Sequence, residues 1–365
     1  MAQIVETDER ICLIIWDIDC LNWDKLVTTL MSPLRSASLS DYVNLAQSLG
    51  LDFHSMMRQV GLSPRCLDDP ETLVSTESVR ELLENSAHAT GVEDFALRLA
   101  ARRTLSNLGP ISLVLKEEST PRQALDTLCR YLRLINPSLI VQVEDAAGTV
   151  TIREEMLGSQ SLSMRQPMEL AVGVMFRILR ELVGPQWRPL RVCFVHRPPR
   201  DLAGHRAFFG TRVDFNQEFN GLVCAAADLR TRHAHADTGI SRFARDHLDR
   251  ALSRHSQGAR DTVRQLIAAL LPGGRCTAQQ VAQHLNVDRR TLHRHLAAEG
   301  TTFSELLDEV RSELVLRHLR DSDLPLSAVA SLLGFSAPSA FSHWFRSAFG
   351  RSVTQSRRLP QPPQP

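Results

Sequence analysis

Two segments near the C-terminus share one internal grammar: VAQHLNVDRRTLHRHL, Val281 to Leu296, and VASLLGFSAPSAFSHWF, Val329 to Phe345. Each reads as a helix, a tight turn and a second helix. Ala282 and Ala330, 48 residues apart, are the small residues that let the two helices of each pair cross closely. Four residues on, the turn needs a left-handed backbone, which Gly334 adopts without steric cost and for which Asn286 is the next best residue. Val287, Leu292 and Leu296 in one copy, and Phe335, Phe341, Trp344 and Phe345 in the other, are the apolar positions that lock the second helix onto the first. The remaining positions face outward. In the first copy they are Arg289, Arg290, His293 and Arg294, a set suited to phosphates and guanine edges. One such copy is common in helical hairpins; two copies joined by an apolar-periodic helix point to double-stranded DNA.

The flanking sequence completes an all-α unit over residues 259–358. Arg260 to Leu271 reads as its first helix, stopped by Pro272-Gly273-Gly274. Thr277 opens the first scaffold helix, Asp288 caps the first recognition helix through the free amides near Arg290 and Thr291, and Gly300 ends it. A linking helix spans Phe303 to Leu319. Ser336 is the expected cap of the second recognition helix, with Pro338 tolerated in its first turn. Arg290, His293 and Arg294 are the base-reading candidates of the first copy, since Arg to guanine O6 and N7 is the commonest specific contact. The second copy offers Ser339, Ser342 and His343, with no long cationic reader before Arg346. Weaker sequence discrimination is therefore expected from it. Arg289, Arg346 and Arg357 are assigned to phosphate.

TLHRHLAAEGTTFSELLDEVRSELVLRHL and LSAVASLLGFSAPSAFSHWFRSAFG together resemble the DNA-binding unit of the AraC/XylS transcription regulators. Gly334-Phe335-Ser336, Phe341-x-x-x-Phe345-Arg346 and Gly350 are the most diagnostic positions. Val353 stands where that family has Pro, Ser356 where it has an aromatic, and Val315 where it has Ala. The resemblance implies two helix-turn-helix modules on a rigid linking helix, RNA polymerase as a partner, and activation of nearby promoters.

The 365 residues allow two domains, and the net charge is only +1. That charge is unevenly placed. From Ser241 onward there are 17 Arg against 11 acidic residues, a net of +6, while the first 240 residues hold 25 basic and 30 acidic ones, a net of −5. A basic DNA-contacting part joined to a mildly acidic sensing part fits this asymmetry. Only Lys25 and Lys116 are lysines; the arginine bias is chain-wide and is put down to GC-rich coding. The seven cysteines contain no Cys-x-x-Cys pair, which points to a reducing cytoplasm without zinc ribbon or disulfide framework. Cys193 and Cys224 read as packed thiols. No apolar run has transmembrane length, so no membrane partner is expected.

Residues 1–38 read as a poorly ordered or dispensable extension: a stray packed element, a tail, or sequence ahead of a start at Met31. Residues 39–231 read as α+β. Helices are expected at 42–49, 53–60, 75–89, 93–103, 109–117 and 121–134, the third starting either at Ser75 or at the Ser78-x-x-Glu81 capping box. LIVQVED (139–145) and TVTIREE (149–155) alternate as a hairpin around Ala147-Gly148. A long amphipathic helix runs from about Arg165 to Val183, and strands recur at Leu190 to His196 and Asn220 to Ala225, giving a small, mostly antiparallel sheet. Residues 232–258 read as a linker with some helix, and 359–365 as a disordered tail.

GLSPRCLDDPETLVS, Thr120-Pro121-Arg122-Gln123-Ala124-Leu125, Trp187-x-Pro189, Phe194-x-His196-x-x-Pro199 and FFGTRVDFNQEFNGLV resemble the larger, arabinose-binding-like effector domain of one subgroup of the same family. This implies sensing of a small molecule or homodimerisation. His196, on the strand face of Val192 and Phe194, is either a ligand or pH contact or a satisfied core histidine. The pairs His233/His235 and His293/His295 have the wrong spacing for metal, so no metal or other cofactor is expected. The common hydrolase, zincin and nucleotide-loop motifs are absent, so catalytic residues are not expected. A DNA-binding regulator that ignores ligands, or an enzyme fused to a DNA-binding tail, are the alternatives.

Overall fold

The computed structural model describes residues 33–157, 163–231, 238–254, 258–274, 276–285 and 287–358. In the N-terminal unit a short strand β1 (Pro33–Arg35) pairs antiparallel with β2 (Leu73–Ser75). Leu34, Ser36 and Leu39 are buried there, so residues 33–38 pack into the fold and are not part of an extension. Helices α1 (Tyr42–Ser48), α2 (Phe53–Gln59), α3 (Thr76–Thr90) and α4 (Phe95–Ala101) follow. Ser75 accepts from the Ser78 amide and caps α3, which settles the start in favour of Ser75. Then come α5 (Pro110–Lys116) and α6 (Pro121–Tyr131), the latter capped by Thr120 with Pro121 in its first turn.

Strands β3 (Leu139–Ala146) and β4 (Thr149–Met156) form the expected hairpin. Ala147 and Gly148 both have positive φ, 47° and 84°, the signature of a turn that matches strand twist. Helix α7 (Arg165–Val183) crosses the sheet face, burying Val172, Phe176 and Leu179. The sheet is completed by β5 (Arg191–Cys193), β6 (Val213–Asp214) and β7 (Asn220–Ala225), with α8 (Ala203–Phe209) between β5 and β6. Its order is β3-β4-β7-β5-β6, antiparallel except for the β5–β6 pair. Cys193 and Cys224 are fully buried within it.

Within 232–258, expected as a linker with some helix, helix α9 (Thr238–Arg254) forms and packs against the N-terminal unit. Its Ala244 and Leu248 join the core of the N-terminal unit, and its Asp249 accepts from the Tyr131 hydroxyl at 2.7 Å. Amphipathic spacing in GISRFARDHLDRAL is what buries this face.

The C-terminal unit is all-α: α10 (Ala259–Leu270), α11 (Ala278–His284), α12 (Arg289–Ala298), α13 (Phe303–Asp321), α14 (Leu326–Leu332), α15 (Pro338–Phe349) and α16 (Val353–Arg358). Ala282, Leu292 and Leu296, and Ala330, Phe341 and Phe345, form one continuous core with Val310, Leu314 and Val315 of α13. Asn286 lies outside the described residues, as do residues 359–365.

Candidate DNA interface and the joint behind it

Helix α12 starts where Asp288 accepts from the Thr291 amide at 2.8 Å and the Thr291 hydroxyl at 3.0 Å. Those bonds hold the Asp288 carboxyl below the usual range. Leu292 and Leu296 bury one stripe of the helix, and the opposite stripe carries Arg289, Arg290, His293 and Arg294, all exposed. Arg289 lies along the surface with Nε 3.3 Å from His293 Nε2. The four side chains predicted to face outward are therefore gathered on one ridge.

In the second copy, α15 begins one residue later than expected. Ala337 is its N-cap, without a side-chain bond, and Ser336 is exposed and caps nothing. Proline at the first helical position removes an amide that would otherwise need a cap. Ser339, Ser342, His343 and Arg346 are exposed, while Phe341 and Phe345 are buried. Trp344 donates Nε1 to Asp308 of α13 at 2.9 Å. Arg357 departs from the expected phosphate role: it is half-buried and donates Nη2 to the Leu324 carbonyl at 2.6 Å. It ties α16 to the segment before α14.

Helix α13 sets the two copies in fixed relation. Arg260 and Arg264 of α10 pair with its Glu309 and Glu313. Its Arg311 donates to the Leu333 carbonyl at 3.1 Å and stacks over the Phe335 ring at 4.2 Å. Glu299, just past α12, accepts from the Ala259 and Arg260 amides at the start of α10.

The face of α13 away from the recognition helices meets the N-terminal unit. Arg317, buried, donates to the Met156 carbonyl at 3.1 Å and pairs with Glu155 at 2.5 Å. Beside it His318 is held neutral, its pKa pushed down to about 3 by burial and by Arg317. Arg197 pairs with Asp323 at 2.7 Å and donates to the Arg320 and Ser322 carbonyls. Gln265 of α10 reaches the Pro137 carbonyl at 2.6 Å. Leu157 and Ile140 insert into the C-terminal core.

His196 sits in a packed cluster. Its Nδ1 lies 2.8 Å from the Arg197 carbonyl and its Nε2 lies 3.4 Å from Glu169 Oε1. His205 Nε2 and Arg165 Nε approach the same oxygen, both at 3.0 Å. Burial pushes the Glu169 carboxyl up, but His205, His196 and Arg165 outweigh it and the pKa ends low. Burial lowers the His196 pKa despite Glu169. His196 is buried among core groups, with Nδ1 bonded and Nε2 without a hydrogen-bond partner among the described residues; Glu169 and His205 were not singled out from sequence. His233 and His235 lie outside the described residues. No group of three metal-ligating side chains occurs among the described residues. None of their helices is long and apolar enough to cross a membrane.

Comparison with known proteins bears directly on both units. The arabinose-binding N-terminal domain of AraC transcription regulators matches residues 50–233, half of the chain, and a helix-turn-helix domain matches residues 281–359. The chain belongs to the AraC family of transcription regulators. The HTH-type transcriptional regulator VirS of Mycobacterium tuberculosis is 30% identical over 328 residues, covering 89% of this chain and 96% of that protein. The ornithine utilization regulator of Pseudomonas aeruginosa is 25% identical over 323 residues, covering 87% and 94%. Among solved structures, the transcriptional regulator CdpR from Pseudomonas aeruginosa aligns over 86% of this chain and 98% of its own, with 21% identity and a TM-score of 0.41. As an AraC-family regulator the protein binds DNA through its helix-turn-helix unit and is not an enzyme.

Proposed function

We propose that this regulator reads its operator mainly through Arg290, His293 and Arg294, with Ser339, Ser342 and His343 adding weaker contacts and Arg289 and Arg346 on phosphate. The observation that carries this is the ridge on α12: four exposed cationic or polar side chains opposite a buried Leu292–Leu296 stripe. Two recognition helices on one rigid α13 suit successive major-groove segments about one helical turn apart. A small-molecule effector in the N-terminal unit, acting through the Arg317 and Arg197 joint, would bias the DNA-binding unit by binding its two arrangements unequally. Activation of nearby promoters with RNA polymerase, as a homodimer, is the outcome this predicts.

Arg294→Ala tests the assignment in mobility-shift assays on the selected site and on random DNA. Loss of one bidentate base contact is worth about 1–3 kcal/mol, roughly tenfold or more, on the selected site alone. Equal loss on both DNAs would reassign Arg294 to phosphate. A second assay asks whether any metabolite shifts the protein's Tm and its DNA affinity together; shifts in neither, with intact DNA binding, would favour a ligand-independent regulator.

A further inference from the structure

A cavity of about 150 Å³ lies inside the N-terminal unit, between the β3–β4 hairpin, α7 and α3. Its walls are mostly apolar, with Leu83, Leu108, Ile135, Met156, Val174 and Met175 among them, and polar residues such as Asn107 and Asn136 also line it. The pocket is partly open, and its volume is enough for a ligand about the size of benzene. Among the polar residues at its rim and walls, one stands out. Glu154 of β4 is 1% exposed, and both its carboxyl oxygens lack a hydrogen-bond partner among the described residues. A buried polar group without a partner is destabilising by a margin large enough that folds ordinarily satisfy it. A buried acid left without a partner at the wall of a mostly apolar pocket is what a ligand-binding site needs and what a core does not.

Three arginines also border the pocket, Arg35, Arg80 and Arg103, and each is bonded elsewhere: Arg35 pairs with Glu71. Arg103 donates to the Ala37 and Ser38 carbonyls. Arg80 donates to Glu77, Ser138 and the Leu157 carbonyl. Their Nε groups have no partner, so a carboxylate head is the rival chemistry. The fully open group is the acid.

We infer that this cavity is the effector site, and that it takes a small, largely apolar amine whose nitrogen donates to the Glu154 carboxyl. This rests on the effector-responsive reading above and names its ligand class. Burial holds the empty Glu154 acid protonated, its pKa pushed up to about 8. An entering ammonium stabilises the carboxylate, so the Glu154 proton leaves to solvent as the ion pair forms. The site also lies next to the joint. Glu155 and the Met156 carbonyl, the two groups that hold Arg317 of the linking helix, directly follow Glu154 in β4.

The test uses the full chain with benzylamine, n-butylamine, benzyl alcohol and benzoate as probes. Thermal shift and titration calorimetry are run on wild type, Glu154→Gln and Met175→Trp. The amines should raise Tm by several degrees and release a proton, seen as a binding enthalpy that varies with the buffer's ionisation enthalpy. Benzoate should do neither. Glu154→Gln should weaken amine binding at least tenfold and remove the proton release; if that variant does not fold, Met175→Trp, which fills the cavity but keeps the acid, should abolish the response. Stabilisation by benzoate but not by amines, equal amine binding in wild type and Glu154→Gln, or no amine response at all overturns the inference. Ligand-free mobility shifts on the same preparations separate the two readings: loss of DNA binding would count against the regulator assignment, and its retention would leave that assignment standing whatever the amines do.

Discussion

Glu154 shows what a single residue can reveal and what sequence inspection passes over. In TVTIREEM the alternation places Val150, Ile152, Glu154 and Met156 on one strand face, and all four are buried. The signal was legible as an acid at a position otherwise apolar. It was missed because the segment scores well as a hairpin whichever face the acid occupies. Its consequence for stability has a definite sign. The folded carboxyl titrates at about 8 against 4.5 for an unstrained glutamate. Between those values the native state holds a proton that the unfolded chain has lost, so this group's contribution falls as pH rises from about 4.5 through about 8. Glu154→Gln removes that slope. It should be more stable than wild type in ligand-free buffer at pH 8, by on the order of a few kcal/mol, with the gap closing toward pH 5. Chemical denaturation at several pH values measures it; a gap that does not change with pH would show that Glu154 is already ionised or already partnered. Arg289, Arg290, His293 and Arg294 are the opposite case. Their outward placement followed from two buried leucines four residues apart, and the structure gathers them on one ridge. Arg357 shares their chemistry, yet it is held by a backbone carbonyl that no local sequence pattern could announce.

At the scale of elements, helix existence and order were readable from apolar spacing, caps and breakers, while the ends depended on tertiary partners. Ser336 looked like a cap, but Pro338 at the first helical position left α15 without an amide there to satisfy, and the helix starts from Ala337. Helix spacing in GISRFARDHLDRAL announced helix α9 inside the expected linker; what it did not announce is that Ala244, Leu248 and Leu252 pack on the N-terminal core. The turn of the second helix-turn-helix is stricter. Gly334 has φ +73°, and a Cβ there would stand 3.2 Å from Leu271 Cδ2. Gly334→Ala should therefore destabilise the protein by about 1–2 kcal/mol from the left-handed backbone alone, with the Leu271 contact adding to it. Thermal unfolding followed by circular dichroism reads this; an unchanged Tm would mean the turn can relax into a right-handed conformation.

For the whole molecule, the question is how two units with different tasks stay in register. The charge asymmetry and the change in periodicity made the division visible in sequence. The joint was not visible, since it depends on residues far apart in the chain, Arg317 with Met156 and Arg197 with residues 320–323. Removing Arg317 takes a donor from the Met156 carbonyl and leaves the Glu155 carboxyl with the Met156 amide alone. Arg317→Ala should loosen the two units, giving faster amide exchange in β4 and α13, while ligand-free DNA affinity changes by less than for Arg294→Ala. If exchange is altered only within α13, the joint does not couple the units.

Most of that joint is made by side chains gripping main chain. Arg317, Arg197 and Gln265 each bind carbonyl oxygens, and so does Gln142, which reaches Ala269. Every residue has a carbonyl, so the surface being gripped can change its side chains without letting go. The walls of the neighbouring cavity can then be rewritten for a different molecule while the connection to the DNA-binding unit persists. A receptor built this way can acquire a new signal by substitutions at the pocket alone, with the attachment that delivers it already in place.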